Sequence, residues 1–553
     1  MAIYGIDLGT TYCAAAYVAD GRTHVVALER GGRTLSSVVV YDSANGVRAM
    51  VGRFARETYR RIVGTADEPP AHLKLVRGAK NTIGVRTRVP GGPPWAVNGH
   101  ELWATDVSAT ILRALAEFVR TMPGAPPMDG VVIAHPQRFR TREKLATAQA
   151  AQMAGLVVRG MVTEPDAAAW AYGLHDAIES GPTVNTFLVF DFGGGTLDVT
   201  VMRRERMPDG RVGIRAVDSY GVQLGGLAID EKVRDRLLEK YCQRAGYDGL
   251  TLADVNEATR EQLLDLAEQV KIELNQDLRA EVAPWERSRR KWMRLESSQI
   301  VGDDIQIEVK LGELSSWISG DIDRAVACAD EALRRANLSW SNIDRVLLTG
   351  GSSQLYAVQT RMNERAQGKV QIVFDQADHP LNPQTIVASG AAMYGAAIAQ
   401  QGKKDSIVEI RGVLPDAFSV RAYAPDPTQP SGRRAVLHTL IPAGTPTPFT
   451  GRAAFYMRGG GNTLPIEVFE GRTEREATAV GTYTFTFDRA MPDGAPVEVE
   501  LDVQPNGVLV LRVRDRATGA VREATLSEAG LYGDDELTSR REWLRSVRIE
   551  VER

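Results

Sequence analysis

A chain of 553 residues, 43% hydrophobic and 25% charged, has an ordinary globular composition and length for about three or four folding units. Its formal net charge of −4 argues against a protein that wraps nucleic acid or is held electrostatically on anionic lipid. Three cysteines, Cys13, Cys242 and Cys328, stand far apart without a CxxC, so neither a disulfide framework nor a zinc site is expected. Asp7 interrupts the first apolar run, and no stretch approaches the ~18–20 apolar residues of a membrane span. A reducing, cytoplasmic setting is the expectation.

In chain order, residues 4–12 read "YGIDLGTTY", an apolar run that meets Asp7 and then a turn of glycine and hydroxyl residues. "GVVIAHP" and "RVLLTGG" read as buried strands, and Val107 to Met122 and Thr259 to Leu278 as helices. This alternation predicts α/β architecture over residues 1–400. At Phe187 the opening pattern returns as "FLVFDFGGGTLDVTVM". Gln400 to Asp405 is polar and marks a boundary, giving a linker over 401–412. Residues 413–530 then alternate in short strands, with "PNG" at 505–507 as a hairpin turn. The tail, 531–553, predicts one short helix around "DDELTSRREWLRSV" with Asp534 or Asp535 as its N-cap.

A strand that ends in Asp and enters a glycine turn sets a carboxylate beside uncovered backbone N–H groups. Such a nest binds phosphate, and the carboxylate holds a hydrated divalent cation. Either motif alone is also a common way to end a strand. Two of them predict two similar subdomains clamping a nucleotide. Gly350-Gly351-Ser352 ends a third strand; by itself it reads as a plain turn with a small-residue cap, and behind the other two motifs as a close approach to adenosine.

Together these stretches resemble the actin, sugar-kinase and 70-kDa heat-shock ATPase superfamily, and within it the DnaK-like chaperones. "GIDLGTTY" and "VFDFGGGTLDV" look like that family's two phosphate motifs, "VTEPDAAAWAYGL" resembles NEPTAAAIAYGL, and "LLTGGSSQLYAVQ" its adenosine motif. Past the linker, "IEVFEGR", "GTYTF" and "VEVELDVQPNGVLVLRVRD" are similar to the family's β-sandwich peptide-binding domain. The fold implied is an actin-like ATPase domain of two duplicated subdomains followed by an all-β sandwich; the family's helical lid has no counterpart in the sequence.

On matching positions the resemblance implies that Asp7 and Asp191 hold Mg²⁺ through water. Gly9, Thr10, Thr11, Tyr12 and the amides of Gly193, Gly194, Gly195 and Thr196 would cradle ATP or ADP phosphates, with K⁺ as a further candidate ion. Glu164 matches the metal- and water-positioning glutamate, and Asp198 the proton acceptor from the attacking water. Two lysines compete for the catalytic position, Lys74 and Lys80; spacing from Val51-Gly52 favours Lys74, although "AKNTIG" around Lys80 is the closer string to the family's AKRLIG. Gly225, Gly226, Glu268, Lys271, Gly350, Gly351 and Ser352 match nucleotide contacts, and Asn275 stands among them where the family has a serine. Ile272 and Gln354 stand where the family has stacking arginines, so weaker or less adenine-selective binding is expected.

For the β domain, Val420, Tyr423, Phe449, Leu464 and Ile466 lie near positions that line the family's peptide cleft, and each equally suits a sandwich core. "DSIVEIRG" replaces the apolar linker that docks on the ATPase domain in the family and couples nucleotide state to peptide release. The resemblance further implies unfolded or extended polypeptides, a J-domain co-chaperone and a nucleotide-exchange factor as partners, and no nucleic acid or membrane. A basic stretch, Glu286 to Arg294, reads as a solvated loop or partner surface, and His135 as a structural strand end. Two functions follow: an ATP-hydrolysing chaperone, or a nucleotide-gated scaffold with weak or no ATPase that binds one dedicated partner.

Overall fold

The computed structural model describes residues 2–63, 69–89, 92–179, 186–206, 212–247, 249–275, 290–295, 305–368, 370–371, 382–399, 408–411, 414, 416–429, 432–445, 448–503, 509–525 and 532–552. Two sheets repeat one plan. In the first lobe Ala2–Asp7 runs parallel to Met128–His135, which runs parallel to Val158–Thr163; on its other side Ala2–Asp7 is antiparallel to Tyr12–Ala19, then Arg22–Val25. In the second lobe Thr186–Phe192 is parallel to Arg345–Thr349 and antiparallel to Leu197–Arg206, which pairs with Val212–Val222. Asp7 and Asp191 occupy the same place in each plan, at the end of the strand between a parallel and an antiparallel neighbour.

The lobes share a hinge core. Val132 and Ala134 from one sheet and Phe187, Val189 and Leu347 from the other pack on Ala167, Trp170, Ile386 and Ala391. These last belong to the helices Glu164–Glu179 and Ile386–Ala399. The run "IVASGAAMYGAAIA" is rich in Ala, Ser and Gly where the contacts leave no space: a Cβ on Gly390 would lie 1.7 Å from the carbonyl oxygen of Ala167, and one on Gly5 2.1 Å from the amide nitrogen of Ala392.

Residues 417–525 form two four-stranded antiparallel sheets. One is ordered Arg433–Ile441, Ala417–Pro425, Gly461–Gly471, Thr478–Met491; the other Phe449–Tyr456, Pro496–Val503, Leu509–Asp515, Val521–Thr525. Inward residues of both, among them Phe418, Val468, Phe485, Val499, Leu501 and Leu511, make one core. This is the alternation expected of a sandwich. The "PNG" turn lies outside the described residues, but its flanking strands pair antiparallel as predicted, Val503 opposite Leu509.

Two segments read as a linker and a tail become parts of sheets. Val408–Arg411 adds a parallel edge strand to Val212–Arg215 of the second lobe. At the other end, the helix Asp534–Ser546 is capped by Gly533, so Asp534 and Asp535 lie in its first turn rather than at the cap. It is followed by Arg548–Glu550, which pairs parallel with Arg48–Met50 beside Val39–Asp42 and Leu73–Val76. Tyr532, Leu544 and Val547 are buried in the first lobe's core with Tyr41, Leu112 and Leu115. The segment from 532 is thus built into the first lobe and is not a free tail; the β domain is inserted between two parts of the two-lobed body.

Candidate functional site

The two Asp-ended strands face each other across a cleft. From the first lobe come Asp7 and the turn Gly9–Thr11; Thr10 Oγ donates to Asn81 Oδ1 at 3.3 Å. From the second comes the turn after Asp191, closed by Gly193 N–H to Thr196 O at 3.0 Å. The glycines are needed where backbones meet. A Cβ on Gly194 would stand 1.9 Å from Thr11 Oγ1, one on Gly195 2.1 Å from Asn81 Oδ1, and one on Gly225 2.3 Å from Gly194 O. Gly226 N–H and Ser352 Oγ both donate to Gly193 O, at 3.0 and 2.9 Å, so the predicted Gly225-Gly226 and Gly350–Ser352 turns brace the same loop. Gly350 takes φ +79, and a side chain there would meet Phe192 O at 2.4 Å.

Glu164, the first residue of its helix, enters this cleft, and Lys80 Nζ donates to its Oε1 at 2.6 Å. Lys80 is buried; Lys74 is exposed on the strand Leu73–Val76, opposite Tyr41. The choice of Lys74 by spacing is therefore corrected: the lysine among the carboxylates is Lys80. Spacing from Val51-Gly52 misled because the chain reverses at Gly78, in the left-handed region at φ +60, and the short 3₁₀ turn Ala79–Thr82 carries Lys80 inward.

Lys80 bonds one carboxylate, Glu164, in a neighbourhood that also holds Asp7, Asp191 and Asp198. Burial, then Glu164, pushes Asp7 up to about 7 against the pull of Lys80. Burial and Glu164 bring Asp198 to about 7 despite Arg138, and burial with Glu164, Asp7 and Asp198 around it raises Asp191 well above the carboxylate range. Thr11 Oγ1 and Asp198 Oδ2 are buried and find no hydrogen-bond partner among the described residues. Excess buried negative charge, unpaired polar atoms and a glycine-lined gap are what a magnesium nucleotide would satisfy. Among the described residues no three His, Cys, Asp or Glu side chains draw together closely enough to hold an ion directly.

Farther along the cleft, Tyr12 OH donates to Glu268 Oε1 at 2.7 Å, and Arg56 is bound to Glu268 and lies 3.3 Å from Asp265. Arg60 reaches Asp265 at 3.2 Å, and Arg77 pairs with Glu261. Burial would raise the Glu268 carboxyl, but Arg56, Lys271 and the Tyr12 hydroxyl hold it at about 2. Lys271 sits 2.6 Å from buried Asp230, and Asn275 Oδ1 accepts from Tyr356 N–H at 2.7 Å. Ile272 is exposed. These charges surround a small pocket lined in part by Thr10, Thr11, Arg56, Gly78 and Leu227. Arg56, Arg77 and Asp230 escaped the sequence reading. An arginine on an amphipathic helix carries no local mark of a partner some 200 residues away.

The five β-domain candidates do not form one lining. Val420 and Ile466 are buried in the sandwich core and Leu464 packs against it, while Tyr423 is 57% exposed on the opposite face and Phe449, on the other sheet, is 41% exposed. His135 is a structural residue, as read: buried, its Nδ1 2.9 Å from Pro136 O, and held neutral by burial and by Lys144, with its pKa near 3. Part of the basic stretch, 286–289, lies outside the described residues, and its remainder forms a hairpin strand, Arg290–Leu295.

The sequence matches the family model described as Hsp70 protein over residues 3–542. That is nearly the whole chain, and the chain belongs to the Hsp70 family.

Proposed function

We propose that this chain is an ATP-hydrolysing chaperone of the DnaK-like type, with an actin-like nucleotide domain and a β sandwich that takes extended apolar polypeptide. The observation that supports it most is the Lys80–Glu164 pair set among Asp7, Asp191 and Asp198 at the meeting of two glycine loops. Phosphoryl transfer to water needs positioning and charge neutralisation more than covalent chemistry, and that set of groups suits it.

In this reading the amides of Gly193 to Thr196 and the hydroxyls of Thr10 and Thr11 bind the phosphates. A Mg²⁺ held through water by Asp7 and Asp191 supplies charge neutralisation when bound. Lys80 turns toward the terminal phosphate, and Glu164 orients the attacking water. Asp198, whose pKa lies near neutrality, is poised to accept a proton from that water. Glu268 and Lys271 meet the nucleoside. Extended peptide is held by main-chain pairing on the β domain, with Tyr423 and Phe449 as exposed apolar contacts.

Steady-state ATP hydrolysis, measured with and without an unfolded peptide and with Asp191→Ala as control, tests the reading. Hydrolysis that peptide stimulates and the variant abolishes is expected. Nucleotide binding without hydrolysis would instead favour the scaffold with one dedicated partner.

A further inference from the structure

The β domain is held at both of its ends, and each end is fixed to a different lobe. Before it, Val408–Arg411 is a strand of the second lobe's sheet. After it, residues 532–552 are anchored on the first lobe by contacts of several kinds. Tyr532 OH donates to the buried carboxylate of Asp106 at 2.7 Å, and Arg540 reaches the same oxygen at 2.8 Å. The Tyr532 ring lies between the guanidiniums of Arg86 and Arg540, at 4.8 and 4.2 Å. Gln149 Nε2 donates to Tyr532 O at 2.8 Å. Arg113 caps the helix by donating to the carbonyls of Leu544 and Val547, and Arg30 reaches Glu552 at 2.9 Å.

The domain also touches both lobes directly. Arg140 pairs with Asp416 at 3.0 Å, Thr141 N–H donates to buried Glu470 at 2.8 Å, and Arg472 meets Asp218 of the second lobe at 2.9 Å. Only residues 526–531 join Thr525 to Tyr532, and such a connection reaches at most roughly 25 Å fully extended.

We infer that the segment 532–552 is a permanent clasp that keeps the β domain docked on the nucleotide body whatever nucleotide the cleft holds. A segment that supplies buried side chains to a lobe's core and a strand to its sheet comes away only with partial unfolding of that lobe. Release of the 408–411 strand alone then cannot free the domain.

The test uses the full chain carrying Arg120→Cys in the first lobe and Asp488→Cys in the β domain, both exposed, for fluorescence energy transfer; the native cysteines are buried. A protease site is inserted between Thr525 and Tyr532. Before cleavage, transfer efficiency is expected to be the same without nucleotide, with ADP and with ATP. After cleavage, residues 532–553 should co-elute with the rest in gel filtration while transfer efficiency falls. A nucleotide-dependent loss in the uncut chain overturns the clasp. So does unchanged efficiency after cleavage, or a cut segment that elutes alone. The comparison of cut and uncut chains without nucleotide is independent of the proposed ATPase.

Discussion

Lys80 and Glu164 meet at 2.6 Å, both buried, the lysine from a 3₁₀ turn and the glutamate from the first turn of a hinge helix. The pair ties Lys80 to a neighbourhood that also holds Asp7, Asp191 and Asp198. Lys80→Ala should lower ATP turnover by about 100-fold or more, as loss of a charge aimed at the transferring group does, whereas Lys74→Ala, at an exposed site, should leave it unchanged. Single-turnover hydrolysis distinguishes them.

Removing the divalent cation should weaken nucleotide binding at least about tenfold, equivalent to about 1.4 kcal/mol, because Asp7, Asp191 and Asp198 then oppose phosphate with only Lys80 and Arg138 to offset them. Calorimetric titration of ADP in magnesium and in excess chelator measures this.

Glu268 gives the cleft an acid-sensitive latch. Its folded pKa, about 2, lies below its ordinary 4.5, so its contribution of roughly 3 kcal/mol is complete above pH 4.5 and is lost as pH falls through 2. Urea midpoints between those values should fall more steeply for the native chain than for Glu268→Gln.

In the proposed function the nucleoside meets Glu268 and Lys271, and the exposed residue beside them is Ile272, with no guanidinium plane. Ile272→Arg should raise ADP affinity by roughly 2- to 30-fold, the worth of one cation–π contact of about 0.5–2 kcal/mol. An unchanged calorimetric Kd would place the base elsewhere.

At the hinge, Gly390→Ala should cost about 1–3 kcal/mol and move the two crossing helices apart, since its new carbon would fall on Ala167 O. Guanidinium unfolding reads the loss, and nucleotide affinity should fall with it.

Sequence alone determined the two Asp-glycine turns, the α/β alternation and the β domain, because strand period, glycine demand and carboxylate placement are local requirements written in adjacent residues. It also located Glu164, Asp198, Glu268 and Lys271, through motifs that hold their spacing along one helix or strand. Only the tertiary structure decided between Lys74 and Lys80, since the left-handed turn at Gly78 sets which lysine is buried. It alone showed Val420 and Ile466 facing the core while Tyr423 faces out, because the phase of an alternating strand is fixed by the sheet it packs against. And it alone placed Tyr532 against Asp106 and Arg548–Glu550 beside Arg48–Met50. Those pairings join residues more than 400 positions apart, and their energy comes from burial and charge satisfied across the fold, which no local pattern encodes.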